Sequence, residues 1–171
     1  MPAAPASPLV AVDANVVMDL GKESESVLDA LATIRQRLLS SRIVLPPTAK
    51  LELMHIARYG DTAEERDLAL NGIAAARRLR IVPVNLMPVG HGIVERVAGR
   101  LRSQELLPAS EVNDSELVAE SALLGARLLL SNDEHLRGMD FPRLTVELQR
   151  FDLTAPVIAT PRELVRKFFQ R

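Results

Sequence analysis

The chain has 171 residues, enough for one domain with a real core and too few for two comfortable ones. Hydrophobic residues make up 47% and the net charge is −1, which excludes a disordered chain and a global basic field advertising nucleic acid. Cysteine is absent, so disulfide frameworks and thiolate metal sites are excluded as well.

Residues 1–8 are mostly Ala, Pro and Ser, with no charged segment and no apolar run. They read as a flexible tail rather than a signal peptide, and residues 9–171 as one domain. No apolar stretch approaches the roughly 20 residues that span a bilayer, so the expectation is a cytoplasmic protein. Residues 9–12 form a continuous apolar run, as in a strand buried on both faces. A short helix follows over 13–21, closed by Gly21. The spacing of Val27, Leu28, Leu31, Ile34, Leu38 and Leu39 predicts a helix over 23–40. Residues 42–46 read as a second strand, and Pro47 opens a helix that runs to Tyr59 and stops at Gly60. An Ala-rich charged helix is expected over 61–80, then a short strand over 81–84 whose Pro83 suggests an edge. Residues 88–105 are helical by period, 106–112 a loop, 113–125 a helix and 127–131 a strand. A short helical turn and a loop are expected up to about residue 152. Residues 157–159 are a last strand, and Thr160 caps a final helix with Pro161 in its first turn. Strands alternating with helices imply an α/β fold, an α/β/α sandwich around a mostly parallel sheet.

Four acids stand where strands end or helices begin: Asp13, Glu52, Asp114 and Asp133. In an open α/β sheet such positions face a common crevice at the carboxyl ends of the strands. Four converging carboxylates repel one another unless a cation lies between them, and an all-oxygen site suits Mg²⁺ or Mn²⁺. A plainer role exists for each. Asp13 and Asp133 can cap the helices after them, with Asn132 as a rival cap. Glu52 can lie on a wet helix face. Asn113 with Glu116 forms a capping-box pattern that would put Asp114 at the first helical position. Asn15 and Ser131 are candidates to orient a carboxylate, water or phosphate. His55, one turn after Glu52, and Glu111 are weaker candidates. Glu134 and His135 read as solvent-exposed, and Asp19 and Asp140 as surface residues or local caps.

The stretch Val10-Ala11-Val12-Asp13-Ala14-Asn15 resembles the opening motif of PIN-domain ribonucleases, where Asp ends the first strand and Thr or Asn follows two residues later. The stretch from Asn113 to Asp133 resembles the long distal motif of that family. That motif has an Asp at a helix start, a small-residue helix ending in Gly, and a strand ending in Ser or Thr, any residue, then Asp. Residues 157–165 resemble its closing strand and helix, so the likeness runs along nearly the whole chain. Many such proteins are VapC-like toxins of type II toxin–antitoxin pairs. The resemblance implies a single PIN-like domain and metal-dependent (Mg²⁺ or Mn²⁺) cleavage of RNA, with Asp13, Glu52, Asp114 and Asp133 as the catalytic, metal-holding acids. It also implies a homodimer and an antitoxin protein that blocks the site.

Other readings are a PIN nuclease of RNA processing, a PIN-like module that binds RNA or protein without cutting, and a haloacid-dehalogenase-like phosphatase. The last needs a second Asp where this chain has Asn15. Two basic clusters, Arg77-Arg78-Leu79-Arg80 and Arg96, Arg100, Arg102, are either wet faces or RNA contacts. Tyr59, Phe141, Phe151, Phe168 and Phe169 are too few for base stacking to dominate binding.

Overall fold

The computed structural model describes residues 8–38 and 41–169; the tail expected over residues 1–8 lies outside them, save Pro8, as does the expected end of the second helix at Ser40. The strands β1 (Leu9–Val12), β2 (Arg42–Leu45), β3 (Val82–Pro83), β4 (Ala126–Leu130) and β5 (Val157–Ala159) form one sheet in the order β3-β2-β1-β4-β5. Every pairing is parallel, so the sheet is wholly rather than mostly so. Successive strand residues point to opposite faces, yet Val10, Ala11 and Val12 are all buried, as are Leu128, Leu129 and Leu130. Helices therefore cover both faces, the situation in which parallel sheets occur.

The helices are α1 (Ala14–Gly21), α2 (Glu25–Arg37), α3 (Pro47–Tyr59), α4 (Ala63–Arg78), α5 (Pro88–Ser103), α6 (Val112–Leu123), α7 (Glu134–Arg137), α8 (Phe141–Gln149) and α9 (Pro161–Phe169). α1 packs along α4, α2 against α9, and α6 against both α3 and α5. The approach of α1 to α4 depends on two glycines. A Cβ on Gly72 would lie 2.3 Å from the Val17 carbonyl oxygen, and one on Gly21 would lie 2.3 Å from that of Leu68. Among the described residues, no helix is long and apolar enough to cross a membrane.

Three local expectations fail for physical reasons. Residues 141–149 form a helix, α8, not a loop. Asp140 caps it by accepting from Arg143 N at 3.0 Å, and Leu144 and Leu148, one turn apart, are its buried anchors. Two apolar positions are too few for period alone to reveal. α6 starts one residue early, at Val112, with Glu111 at its N-cap and no side-chain cap bond. Asn113 and Glu116 therefore form no capping box, and Asp114 occupies the third helical position rather than the first. The strand expected over 81–84 shrinks to β3, two residues at the sheet edge, where Pro83 has no N–H to give a ladder.

Candidate active site

β1 lies between β2 and β4, so the strand order reverses beside it. The crevice beyond the carboxyl ends of β1 and β4 is the place such a reversal opens in a parallel sheet. Asp13 stands there directly after β1, its N–H bonded to the Leu130 carbonyl of β4 at 3.0 Å. Its side chain is buried and fully engaged. Oδ1 accepts from Ala14 N at 2.6 Å, while Oδ2 accepts from Ser131 Oγ at 2.6 Å and Asn15 Nδ2 at 2.8 Å. The capping role is thus real, but it uses one oxygen only. Burial pushes the Asp13 carboxyl above its usual range, the Ser131 and Ala14 bonds pull it back, and the Asp133 charge adds to the rise.

Ser131, fully buried at the end of β4, is the hub. Its hydroxyl donates to Asp13 and accepts from Asn15 Nδ2 at 3.3 Å and from Asp133 N at 3.0 Å. Asn15 Oδ1 accepts in turn from Asn132 N at 3.1 Å. The two orienting candidates therefore tie the end of β1 to the turn after β4. Asp133, not Asn132, caps α7: its Oδ1 accepts from His135 N at 2.7 Å and Leu136 N at 3.2 Å. Asn132 donates instead to Asp19 Oδ2 at 2.8 Å, so Asp19 is a tether rather than a cap.

Asp114 and Glu52 reach the same crevice from α6 and α3. Asp114 Oδ2 is buried and has no hydrogen-bond partner among the described residues. Its carboxyl is pushed up to about 7, first by burial and then by the charges of Asp133, Asp13, Glu111 and Glu52. Glu52 is half-buried and raised by burial and by the charges of Asp13 and Asp133. The Asp133 charge thus acts on each of the other three, Asp13, Glu52 and Asp114, so the four acids face one crevice.

Glu111 and His135 also join the rim. Glu111 Oε1 lies 3.5 Å from His135 Nδ1, and donor atoms of Glu111, Asp114 and His135 lie within 4.8 Å of one another. His135 is exposed, as expected, but beside acids that sequence spacing gave no reason to pair with it. His55 sits against Tyr59, ring centroids 5.1 Å apart, and lines one surface pocket together with Glu52. Glu134 is exposed. Arg100 is bound to Glu147 at 2.7 Å and Arg102 donates to Ser115 Oγ, so that basic cluster serves mainly packing.

One residue escaped the sequence reading. Glu120, buried on α6, accepts from Thr48 N at 3.0 Å and Thr48 Oγ1 at 2.9 Å. Its signal was a lone acid among the apolar and small residues of the α6 face.

No family model and no curated protein matches the chain. Among solved structures it is similar to a chain of VapBC2 from Rickettsia felis, solved bound to a DNA fragment from the promoter, with 10% identity over 89% of this chain and 98% of that one, at a TM-score of 0.60. It is also similar to a chain of VapBC-1 from nontypeable Haemophilus influenzae, with 19% identity over 90% of this chain and 98% of that one, at a TM-score of 0.55. The chain therefore has the PIN-like α/β fold of VapC-like proteins, with its five-stranded parallel sheet flanked by helices.

Proposed function

We propose that the chain is a metal-dependent ribonuclease of the VapC-like PIN type, the toxin of a type II toxin–antitoxin pair. The observation that carries this reading is the gathering of Asp13, Glu52, Asp114 and Asp133 in one crevice, with a buried oxygen of Asp114 left without a partner. Such an oxygen among like charges asks for a cation, and a donor set of carboxylates alone suits Mg²⁺ or Mn²⁺. Asp13, Asp114 and Asp133 would hold the ion, and Glu52 would complete the acidic ring. When bound, the metal supplies Lewis-acid activation of water and of the scissile phosphodiester.

The protein's own part is orientation. Ser131 and Asn15 fix the Asp13 carboxylate from two directions, leaving no freedom to swing away. Substrate is held next door. Asn132, Arg137, Arg162 and Arg166 line a groove of about 500 Å³ that adjoins the crevice through the turn carrying Asp133. Arg137 is paired with Glu163 at 2.6 Å, while Arg162 and Arg166 stand one turn apart on α9, spaced to meet phosphates of one strand. A chain of net charge −1 can thus bind RNA through a local basic rim. The partners in this reading are RNA, an antitoxin protein and a second copy of the chain.

The test is cleavage of RNA by the purified chain with Mg²⁺ or Mn²⁺, compared with Asp13→Asn. Wild type should release products with 5′-phosphate ends, and the variant none. A 2′,3′-cyclic phosphate end would mean attack by the ribose hydroxyl and sink the reading. Induced expression tests the toxin role: growth arrest by wild type but not by Asp13→Asn is expected. Cleavage without arrest would move the chain to RNA processing, and neither would leave a binding module.

A further inference from the structure

At the opposite edge of the sheet, where β2 and β3 begin, a cavity of about 420 Å³ is lined by Arg35, Ser41, Arg42, Arg78, Leu79 and Arg80. No carboxylate lines it, and none of its four arginines has an ion-pair partner among the described residues. Arg35 Nη2 donates to the Leu79 carbonyl, which ties the end of α2 to the end of α4 and gives the cavity a fixed wall. The Ser41 hydroxyl is buried and has no hydrogen-bond partner among the described residues.

A plainer reading is that basic residues close helices. Arg35 and Arg78 do lie in the last turns of α2 and α4. Each helix end brings about half a negative charge, so two together offset about one of the four positive charges. Arg42 is the first residue of a strand, and Arg80 sits beyond its helix with a left-handed φ of 53°, so neither is explained this way. About three positive charges stay uncompensated around a concave surface, beside a buried hydroxyl that lacks a partner.

We propose that this arginine-lined cavity, remote from the carboxylates, is a phosphate-binding site. Guanidinium groups meet phosphate oxygens through paired N–H donors, and the Ser41 hydroxyl adds one more. The volume holds more than a single phosphate group, which fits a diphosphate or two neighbouring phosphodiesters. Strands of this length span about 13 Å, so the site lies on the other edge from the acidic crevice and does not depend on it. The occupant is either the backbone of a single-stranded RNA or a free nucleotide-like phosphate.

Isothermal titration with pyrophosphate, on full-length chain treated with EDTA, tests this. Wild type, Asp13→Asn and the exposed control Arg96→Glu should bind alike. The double variants Arg42→Glu/Arg78→Glu and Arg42→Gln/Arg78→Gln should bind at least about tenfold more weakly, with thermal unfolding unchanged in the milder Gln pair. Absence of binding by wild type, or equal binding by the Gln pair, overturns the proposal. Fluorescence anisotropy with a single-stranded RNA in EDTA then separates the sources. Loss of RNA affinity and a shallower salt dependence in the double variants identify an RNA backbone. Unchanged RNA affinity alongside lost pyrophosphate binding identifies a free phosphate ligand.

Discussion

Asp114 sits among like charges that either a proton or a bound cation relieves. Its carboxyl is pushed up to about 7 by burial and by four neighbouring acids, and its Oδ2 has nothing to bond. Without metal the fold gains nothing from this charge. Asp114→Asn should therefore raise the stability of the metal-free protein by about 1 kcal/mol, the usual gain when a strained functional group is neutralised. The same change should abolish the thermal stabilisation that Mn²⁺ gives to wild type. Thermal unfolding with and without Mn²⁺ reads both, and an equal Mn²⁺ response in the variant would remove Asp114 from the ligand set. Ser131 is the complementary case. It touches no proposed cation but donates to Asp13 Oδ2 and accepts from Asp133 N. Ser131→Ala should weaken Mn²⁺ affinity about ten- to a hundredfold, the range for lost outer partners of metal ligands. An unchanged calorimetric affinity would reduce Ser131 to a packing residue.

Helix α3 carries Glu52, and its first turn is held by a neighbour rather than by its own sequence. Pro46 at the N-cap offers no side-chain bond, so the Thr48 N–H would be an orphan donor. Glu120 from α6 accepts it, together with the Thr48 hydroxyl, and so caps α3 across the fold. Glu52 follows Thr48 by one turn, which makes Glu120 a positioning residue for the acidic ring. Glu120→Ala should cost about 1–3 kcal/mol through the stranded donors. It should also slow RNA cleavage, whereas stability lost without any change in rate would make the cap merely structural; urea unfolding and a cleavage assay read the two. Helices with clear start and stop signals, such as α3 between Pro47 and Gly60, were legible along the chain. α8 was not, because its two buried leucines are too sparse a stripe. The start of α6 was misplaced because Asn113 and Glu116 satisfy a local pattern that the loop before them overrides. A cap supplied across the fold, such as Glu120 for α3, is marked only by an acid among apolar and small residues, with nothing local to name the donor it serves.

Across the whole molecule the sheet separates two charge fields, carboxylates beyond the ends of β1 and β4 and arginines before the starts of β2 and β3. The acidic field was readable because strand ends and helix starts are marked in sequence by apolar runs, Pro and Gly, and parallel topology sends those positions to one edge. The approach of His135 and Glu111 was not readable, since it depends on how α7 leans toward the loop before α6. Gathering acids has a consequence for stability that the signs of the shifts decide. Asp13, Glu52, Asp114 and Glu120 all have raised pKa values in the folded state. Between the ordinary carboxyl range and about 7, the folded state of Asp114 holds a proton that the unfolded state has released. Stability therefore falls as pH rises through that window. Glu147 and Glu163, lowered by Arg100 and by the Thr160 N–H respectively, act oppositely, and only toward the acid end. Metal-free protein should accordingly melt at a lower temperature at pH 8 than at pH 5.5. Mg²⁺ at a hundred times its dissociation constant should restore about 2.7 kcal/mol at pH 8. Its effect should shrink at pH 5.5, where protons hold the same oxygens. Calorimetric scans at the two pH values, with and without Mg²⁺, settle the matter: a melting temperature that rises from pH 5.5 to 8 without metal would show that the four carboxylates do not share one crevice.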